Sequence, residues 1–314
     1  MMTVLALVLS ACGTNGGTNG GQTDADGEGI TGTVRADGSS TVAPLTEAAA
    51  ELFQEENPGV RVTVGTSGTS GGFEKFCNGE TEISDASRPI KEEEIAVCKK
   101  NGVEYAEIQV ANDALSAIVH PDNPLECITV DQLKQIWDLD SEVDSWGDVD
   151  GLTADVPDGE MTLFGPGPDS GTYDYWTDAV NGDEGRIRTD YNSIGEDDEA
   201  AINGVSGDEA ATAYVPHSFV TEAGDKVKAL QVEDPESGDC VEPTVENVQD
   251  GSYSPLGRPL FIYPSAAALD KPEVLAFIEF YIENQEAIAE QATVIPMNDE
   301  QVAESNERVG ELAG

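Results

Sequence analysis

Gly38-Ser39-Ser40-Thr41-Val42-Ala43-Pro44-Leu45 separates two short patterns of different period. Before it, residues 31–36 read as a β-like run. After it, residues 45–56 carry Leu45, Ala49, Leu52 and Phe53 at i, i+4, i+7 and i+8, one face of a helix. Ser39 or Ser40 is placed to cap that helix, and Pro44 is tolerated in a first turn. Hydroxyls and backbone N–H groups therefore gather where a helix dipole is positive, a layout that suits an anion. An ordinary Ser/Thr cap has the same appearance, so recurrence is the stronger signal. Gly/Ser/Thr turns of the same layout recur at 65–72 and 165–172.

The chain has 314 residues, enough for two lobes with cores of their own. It carries 62 acidic against 15 basic side chains, a formal charge of −47. The charge is spread along the chain and periodic apolar segments persist, which argues against a disordered acidic tail. At low ionic strength such a surface repels itself. At 1 M salt the Debye length falls to about 3 Å and the repulsion is screened. The composition thus fits a halophilic protein working in strong brine. Nucleic acid is excluded as a partner, and an anionic membrane surface as a binding face.

The first residues are apolar and end in Leu9-Ser10-Ala11-Cys12-Gly13. A short apolar stretch with small residues before a cut reads as a signal peptide over 1–12 rather than a membrane span. Cys12 sits where a lipobox places its lipidated cysteine. Residues 13–32 are rich in Gly, Asn, Thr and Asp, as a flexible linker is. Four further cysteines suit two disulfides outside the cytoplasm, with three possible pairings. Cys77–Cys98 with Cys127–Cys240 is favoured because the first two are close in sequence. No CxxC motif or Cys/His cluster is present, so no metal is expected. No P-loop lysine motif or other cofactor signature is present either.

Along the chain, 60–64 alternates as a strand, 73–77 begins a helix, and 82–84 is a short strand ending at Asp85-Ala86-Ser87-Arg88-Pro89. Residues 91–101 read as a helix closed by Gly102. Strands are expected at 105–110 and 114–120, a helix from 129 through Trp137, and a strand at 161–164. An aromatic helix with Tyr173, Tyr175 and Trp176 follows, then an acidic turn at 196–199 opening a helix through Ile202. Strands at 211–215, 227–232 and 258–263, a short helix at 245–250 and closing helices at 271–291 and 299–312 complete the reading. Strand–turn–helix units at this pace mean an α/β sheet with helices on its faces. Residues 33–111 and 260–314 form a first lobe and 112–259 a second lobe inserted into it, with a hinge near 110–114 and 259–262.

A tetrahedral oxyanion needs short, directed donors more than a diffuse pool of charge. Glycine lets the backbone approach without a Cβ in the way. The three turns supply Ser40 and Thr41, Ser70 with Gly71, and Ser170 with Gly171 and Thr172. Arg88 follows a strand in a chain with seven arginines and reads as the one formal cation at the ligand, with a salt bridge to a carboxylate as its alternative.

Together, Gly-Ser-Ser-Thr-Val-x-Pro-Leu, Ser70-Gly71-Gly72-Phe73, Asp85 to Ile90, Gly165 to Tyr175, Arg188-Thr189-Asp190-Tyr191 and Pro255 to Tyr263 resemble the PstS family, phosphate-binding lipoproteins of ABC importers. The resemblance runs over about 33–265. It implies a two-lobed periplasmic-binding-protein fold of type II, in an acidic, haloarchaeal-type version, with one dehydrated inorganic phosphate in the interlobe cleft. It also implies ABC permease subunits as partners, a lipid anchor on the outer face of the cytoplasmic membrane, and no catalysis; a monomer is expected. By motif position, Ser40 and Thr41 take the first donor pair, Ser70 the second-turn hydroxyl, and Ser170, Gly171 and Thr172 the cluster from the inserted lobe. One branch of the family has Arg where Pro166 stands, and an Asp that accepts the phosphate proton where Arg88 stands. The chain follows the Ala-Ser-Arg branch. Asp197 is the candidate acceptor, since HPO₄²⁻ needs one and sulfate none; its alternative role is a helix N-cap. His120 and His217 are read as structural.

Other readings are the same fold holding sulfate, molybdate or a phosphonate, a phosphate sensor that feeds no permease, and a serine hydrolase. For the last, Gly68-Thr69-Ser70-Gly71-Gly72 fits G-x-S-x-G after a strand, with His217 downstream. It leaves the other two hydroxyl turns unexplained.

Overall fold

A computed structural model describes residues 29–168, 170–195, 197–235 and 237–313. Cys12 and the signal-peptide reading lie outside the described residues. The first lobe opens with β1 (Gly32–Gly38), α1 (Ala43–Glu56), β2 (Val60–Gly65), α2 (Gly68–Cys77), β3 (Ile83–Ala86), α3 (Glu92–Asn101) and β4 (Ile108–Val119). Then come β5 (Cys127–Ile128), α4 (Val130–Trp137), β6 (Leu163–Gly165), α5 (Gly171–Trp176), β7 (Asn192–Ser193), α6 (Asp198–Ser206), β8 (Thr212–Pro216), α7 (His217–Ala223), β9 (Lys228–Ala229), β10 (Gln231–Glu233), β11 (Cys240–Val241) and α8 (Val245–Gln249). The chain closes with β12 (Gly257–Pro264), α9 (Ala266–Leu269), α10 (Pro272–Glu283), α11 (Gln285–Gln291) and α12 (Asp299–Ala313).

The architecture is a two-lobed α/β fold. One continuous sheet runs β2-β1-β3-β12-β4-β8-β6-β7, with β9 added beside β4. Strands β1, β2 and β3 are parallel, whereas β12 is antiparallel to both β3 and β4. β4 and β12 are the long central strands, paired from Gly257↔Ala114 to Ile262↔Ile108. On one side of this crossing a core gathers Val34, Leu45, Ala49, Phe53, Val62, Ile108, Phe277, Tyr281 and Val309, so the apolar face read from α1 does pack inward. On the other, Trp137, Trp146, Trp176, Tyr214 and Leu256 form a separate core. There Trp176 stacks on Tyr214 with centroids 4.3 Å apart.

Several expected elements differ. The strands expected at 105–110 and 114–120 are one strand, β4. Asn112 and Asp113 resemble turn formers, but tertiary partners hold them extended. Asn112 donates to the Pro296 carbonyl and Asp113 pairs with Arg258. The run 227–232 is split, because β9 joins β4 while β10 pairs with β5 and β11 in a small separate sheet. The closing helix expected at 271–291 breaks at Asn284. The turn at 68–72 is already helical, being the start of α2. Gly72 in it faces Gly38 so closely that a Cβ would lie 2.5 Å from the Gly38 Cα. Neither Ser39 nor Ser40 caps α1: Val42 is the N-cap and makes no side-chain cap bond. Ser39 Oγ instead accepts from the Thr41 N–H (3.2 Å) and stabilises the preceding turn.

Cys77–Cys98 joins α2 to α3, and Cys127–Cys240 joins β5 to β11. The second closes a separation of 113 residues. In the chain-entropy model a loop near that size restricts the unfolded state by about 4–5 kcal/mol.

Asp85 is wholly buried in β3, and neither carboxyl oxygen finds a hydrogen bond of good geometry. Burial pushes its carboxyl up to about 7, and Asp37 and Glu47 add to the effect. The unfolded chain releases this proton near pH ~4. Between those values the folded state binds more protons, so rising pH destabilises it. Asp85→Asn removes that ionisation. Its melting temperature relative to wild type should therefore rise from about pH 5 to about pH 8; a gap that does not change with pH would refute the assignment.

Candidate functional site

Ser39 N–H donates to the Asp85 carbonyl (2.9 Å), continuing the β1–β3 register by one residue. The chain then turns through Ser40 and Thr41 into α1. From the neighbouring strand end, Ser87 and Arg88 leave toward α3, and α2 starts alongside. Thr69 Oγ1 accepts from the Ser87 N–H (3.3 Å). These segments, with Gly171 at the start of α5, line one small cavity of about 80 Å³. Ser39, Ser40, Thr41, Gly68, Thr69, Ser70, Ser87, Arg88 and Gly171 all face it. First-turn N–H groups of a helix have no acceptor within the helix, so the start of α2, where Gly68, Thr69 and Ser70 line the cavity, turns donors toward this space.

Gly171 makes the approach possible. A Cβ there would sit 2.7 Å from Thr41 Oγ1 and 3.2 Å from Ser40 Oγ. Ser170 caps α5 by accepting from the Thr172 N–H (3.2 Å). Of the three residues expected from this turn, Gly171 lines the cavity, while Ser170 and Thr172 flank it and do not.

Arg88 faces the cavity but is not its sole cation. Its fork is taken by Glu94 at 2.8 and 2.9 Å, the salt-bridge alternative, while Nη2 also donates to Ser70 Oγ (2.9 Å). Lys91 and Arg258 line the cavity as well. Arg258 is a site residue that the hydroxyl turns do not point to, although it stands in the Pro255–Tyr263 motif. Its signal in the sequence is a cation in an otherwise apolar strand. Its guanidinium lies 3.3 Å from the centroid of the Tyr175 ring. Nη2 donates to Thr41 Oγ1 (3.2 Å) and faces Asp113 (3.3 Å), and Nη1 donates to the Ser87 carbonyl (3.2 Å).

Asp197 stands elsewhere. It is exposed at the N-cap of α6, where its carboxylate accepts from the Ala200 N–H, and it does not line the cavity. The carboxylates that do are Asp174, Asp178 and Glu184. Asp174 is half-buried, and burial followed by the Glu184 charge pushes its carboxyl up, against the pull of Arg258.

The nucleophile reading fails on geometry. Ser70 Oγ accepts from Arg88, and His217 Nδ1 instead lies 3.2 Å from Ser116 Oγ. His120 Nδ1 accepts from the Asp122 N–H, a local structural bond. Arg188, from the Arg-Thr-Asp-Tyr motif, is also structural: it is buried, pairs with Asp190 and donates to the carbonyls of Ile136 and Val143. Among the described residues no group of three or more His, Cys, Asp or Glu could hold a metal ion, and no helix is long and apolar enough to cross a membrane.

Gly171→Ala should hold the turn before α5 away from Ser40 and Thr41. A crystal structure of the variant should show a longer 171–41 separation; an unchanged one would mean that this contact does not limit closure.

Comparison with known proteins agrees with this architecture. A model for the PBP superfamily domain matches residues 20–285. Protein SphX of Synechococcus elongatus is 42% identical over 266 residues, covering 84% of this chain and 77% of that protein. The phosphate-binding protein PstS of Staphylococcus saprophyticus is 36% identical over 311 residues, covering 98% and 92%. The crystal structure of a possible phosphate-binding protein from Planctomyces limnophilus superposes with a TM-score of 0.84 at 39% identity, covering 91% of this chain and all of that one. A sheet crossed by β4 and β12, with a hydroxyl-lined cavity between two cores, is thus the form taken here by the PBP superfamily, and the chain belongs to its SphX and PstS family.

Proposed function

We propose that the chain captures inorganic phosphate outside the cytoplasm and delivers it to the permease subunits of an ABC transporter. The observation that carries this reading is the convergence of Ser40, Thr41, Ser70 and Gly171 on one cavity sized for a small ion. Hydroxyls and helix-start N–H groups bind oxygens directionally, and a dry site strengthens each bond. Arg88 is shared between Glu94 and the cavity and positions Ser70. Ser170 and Thr172 act by shaping the turn that presents Gly171. Residues 33–111 with 260–314, and 112–259, serve as the two lobes, and β4 and β12 as the hinge between them.

The proton acceptor is reassigned from Asp197 to Asp174. Asp174 faces the cavity from the first helical turn of α5. A carboxylate there accepts a hydrogen bond from HPO₄²⁻ and repels sulfate, which has no proton to give. The remaining parts of the reading rest on sequence. Cys12 is the lipid-bearing residue that follows a signal peptide over 1–12, and residues 13–32 tether a monomeric, non-catalytic binding protein to the outer face of the cytoplasmic membrane. The −47 charge suits a halophilic setting. On that account the melting temperature should climb steeply as KCl rises toward about 2 M, because screening removes the surface repulsion; a flat salt dependence would count against it.

Calorimetric titration with phosphate, arsenate and sulfate in molar KCl tests the function directly. Phosphate and arsenate should bind and sulfate should not. Tight binding of sulfate or molybdate in place of phosphate would move the assignment to another oxyanion. Asp174→Asn should narrow the preference for phosphate over sulfate by about tenfold or more, as a change of ~1.4 kcal/mol in relative binding implies. Unaltered selectivity would remove Asp174 from the acceptor role.

A further inference from the structure

Arg88 and Arg258 face the same cavity in different electrical states. Arg88 is bidentate to Glu94, so its charge is met within the first lobe. Arg258 is only 15% exposed, yet its carboxylate contact is a single 3.3 Å approach to Asp113, shared with a bond to Thr41. Its Nε is buried and has no partner. An arginine that deeply placed ordinarily has its fork filled. Arg258 also touches both sides of the cleft. Thr41 and Ser87 belong to the segments ending β1 and β3, while Tyr175 belongs to α5 on the opposite wall. Tyr175 is itself fixed, its hydroxyl donating to the Pro255 carbonyl (2.8 Å).

We propose that Arg258 is the positioning residue that latches the two walls around the bound anion, with the Tyr175 ring as its keeper. The anion supplies the negative charge that Asp113 meets incompletely, and the guanidinium then holds the Tyr175 face and the Thr41 turn together. Closure and charge matching are thereby one event. The inference rests on the proposed function for the identity of the anion, but not for the latch itself. A latch acts after encounter, so its loss appears in the dissociation rate more than in the association rate.

The experiment follows release of radiolabelled phosphate from wild type, Arg258→Gln, Arg258→Lys, Tyr175→Leu and the Arg258→Gln/Tyr175→Leu double variant. Arg258→Gln should release phosphate at least about tenfold faster, with association changed by less than about threefold. Arg258→Lys should fall between, since it keeps the charge and loses the planar stack. The double variant should release little faster than Arg258→Gln alone, because one contact cannot be lost twice. A residue serving only the fold would lower the melting temperature and the bound fraction without altering release from the molecules that bind. Wild-type release rates in Arg258→Gln and Arg258→Lys, or fully additive effects in the double variant, overturn the proposal. If wild type holds arsenate or sulfate but no phosphate, the phosphate reading fails and the same rate ratios, taken with that anion, decide the latch. If it holds none of the three, both fall.

Discussion

The bond from the Ser39 N–H to the Asp85 carbonyl marks where two adjacent parallel strands end together. The rest of the site hangs from that edge. One chain turns there into Ser40, Thr41 and α1, and the other into Ser87, Arg88 and α3. Parallel strands finish at the same edge, so their following turns must share a neighbourhood; this is why open α/β sheets bind ligands beyond the carboxyl ends of their strands. Gly72 packed on Gly38 brings α2 to the same place. The opposite wall reaches it only because Gly171 has no side chain.

A chain of net charge −47 is a poor long-range attractor for an anion. The cavity does not follow the bulk composition. Arg88, Lys91 and Arg258 line it together with Asp174, Asp178 and Glu184, so its lining is mixed in charge where the surface is acidic. Directed donors then decide binding, and those act over a hydrogen-bond length at which bulk screening matters little. The same separation of scales explains Asp85, which is buried under the site without a matched cation. Its neutral form is the one burial favours, so it adds little negative charge beneath the donors until the pH rises toward about 7.

Local patterns carried a good part of the fold. The α1 face, the alternating β2, the Gly102 stop of α3 with φ 71°, and the helix α4 ending at Trp137 are all set by neighbours a few residues away, and each appears where the pattern places it. The disulfide pairing favoured for Cys77 and Cys98 also stands. Non-local partners explain the misreadings. Asn112 and Asp113 stay in a strand because Pro296 and Arg258 engage them from far along the chain. Asp197 has both the chemistry of a cap and that of an acceptor, and its sequence neighbours do not say which way the turn faces.

Sequence alone determined the periodicities, the glycine-bearing hydroxyl turns and the acidic surface, because these depend on residue type and on separations of a few residues. It could point to Ser40, Thr41, Ser70 and Gly171 because each sits at a strand-to-helix turn. Tertiary structure decided which of the charges count. Arg88 is neutralised by Glu94, Arg258 stacks on Tyr175 and reaches Thr41 and Ser87 across the cleft, and Asp174 faces the cavity while Asp197 does not. A charge acts through space, and which charges become neighbours is settled only when β4 and β12 bring distant stretches of the chain side by side.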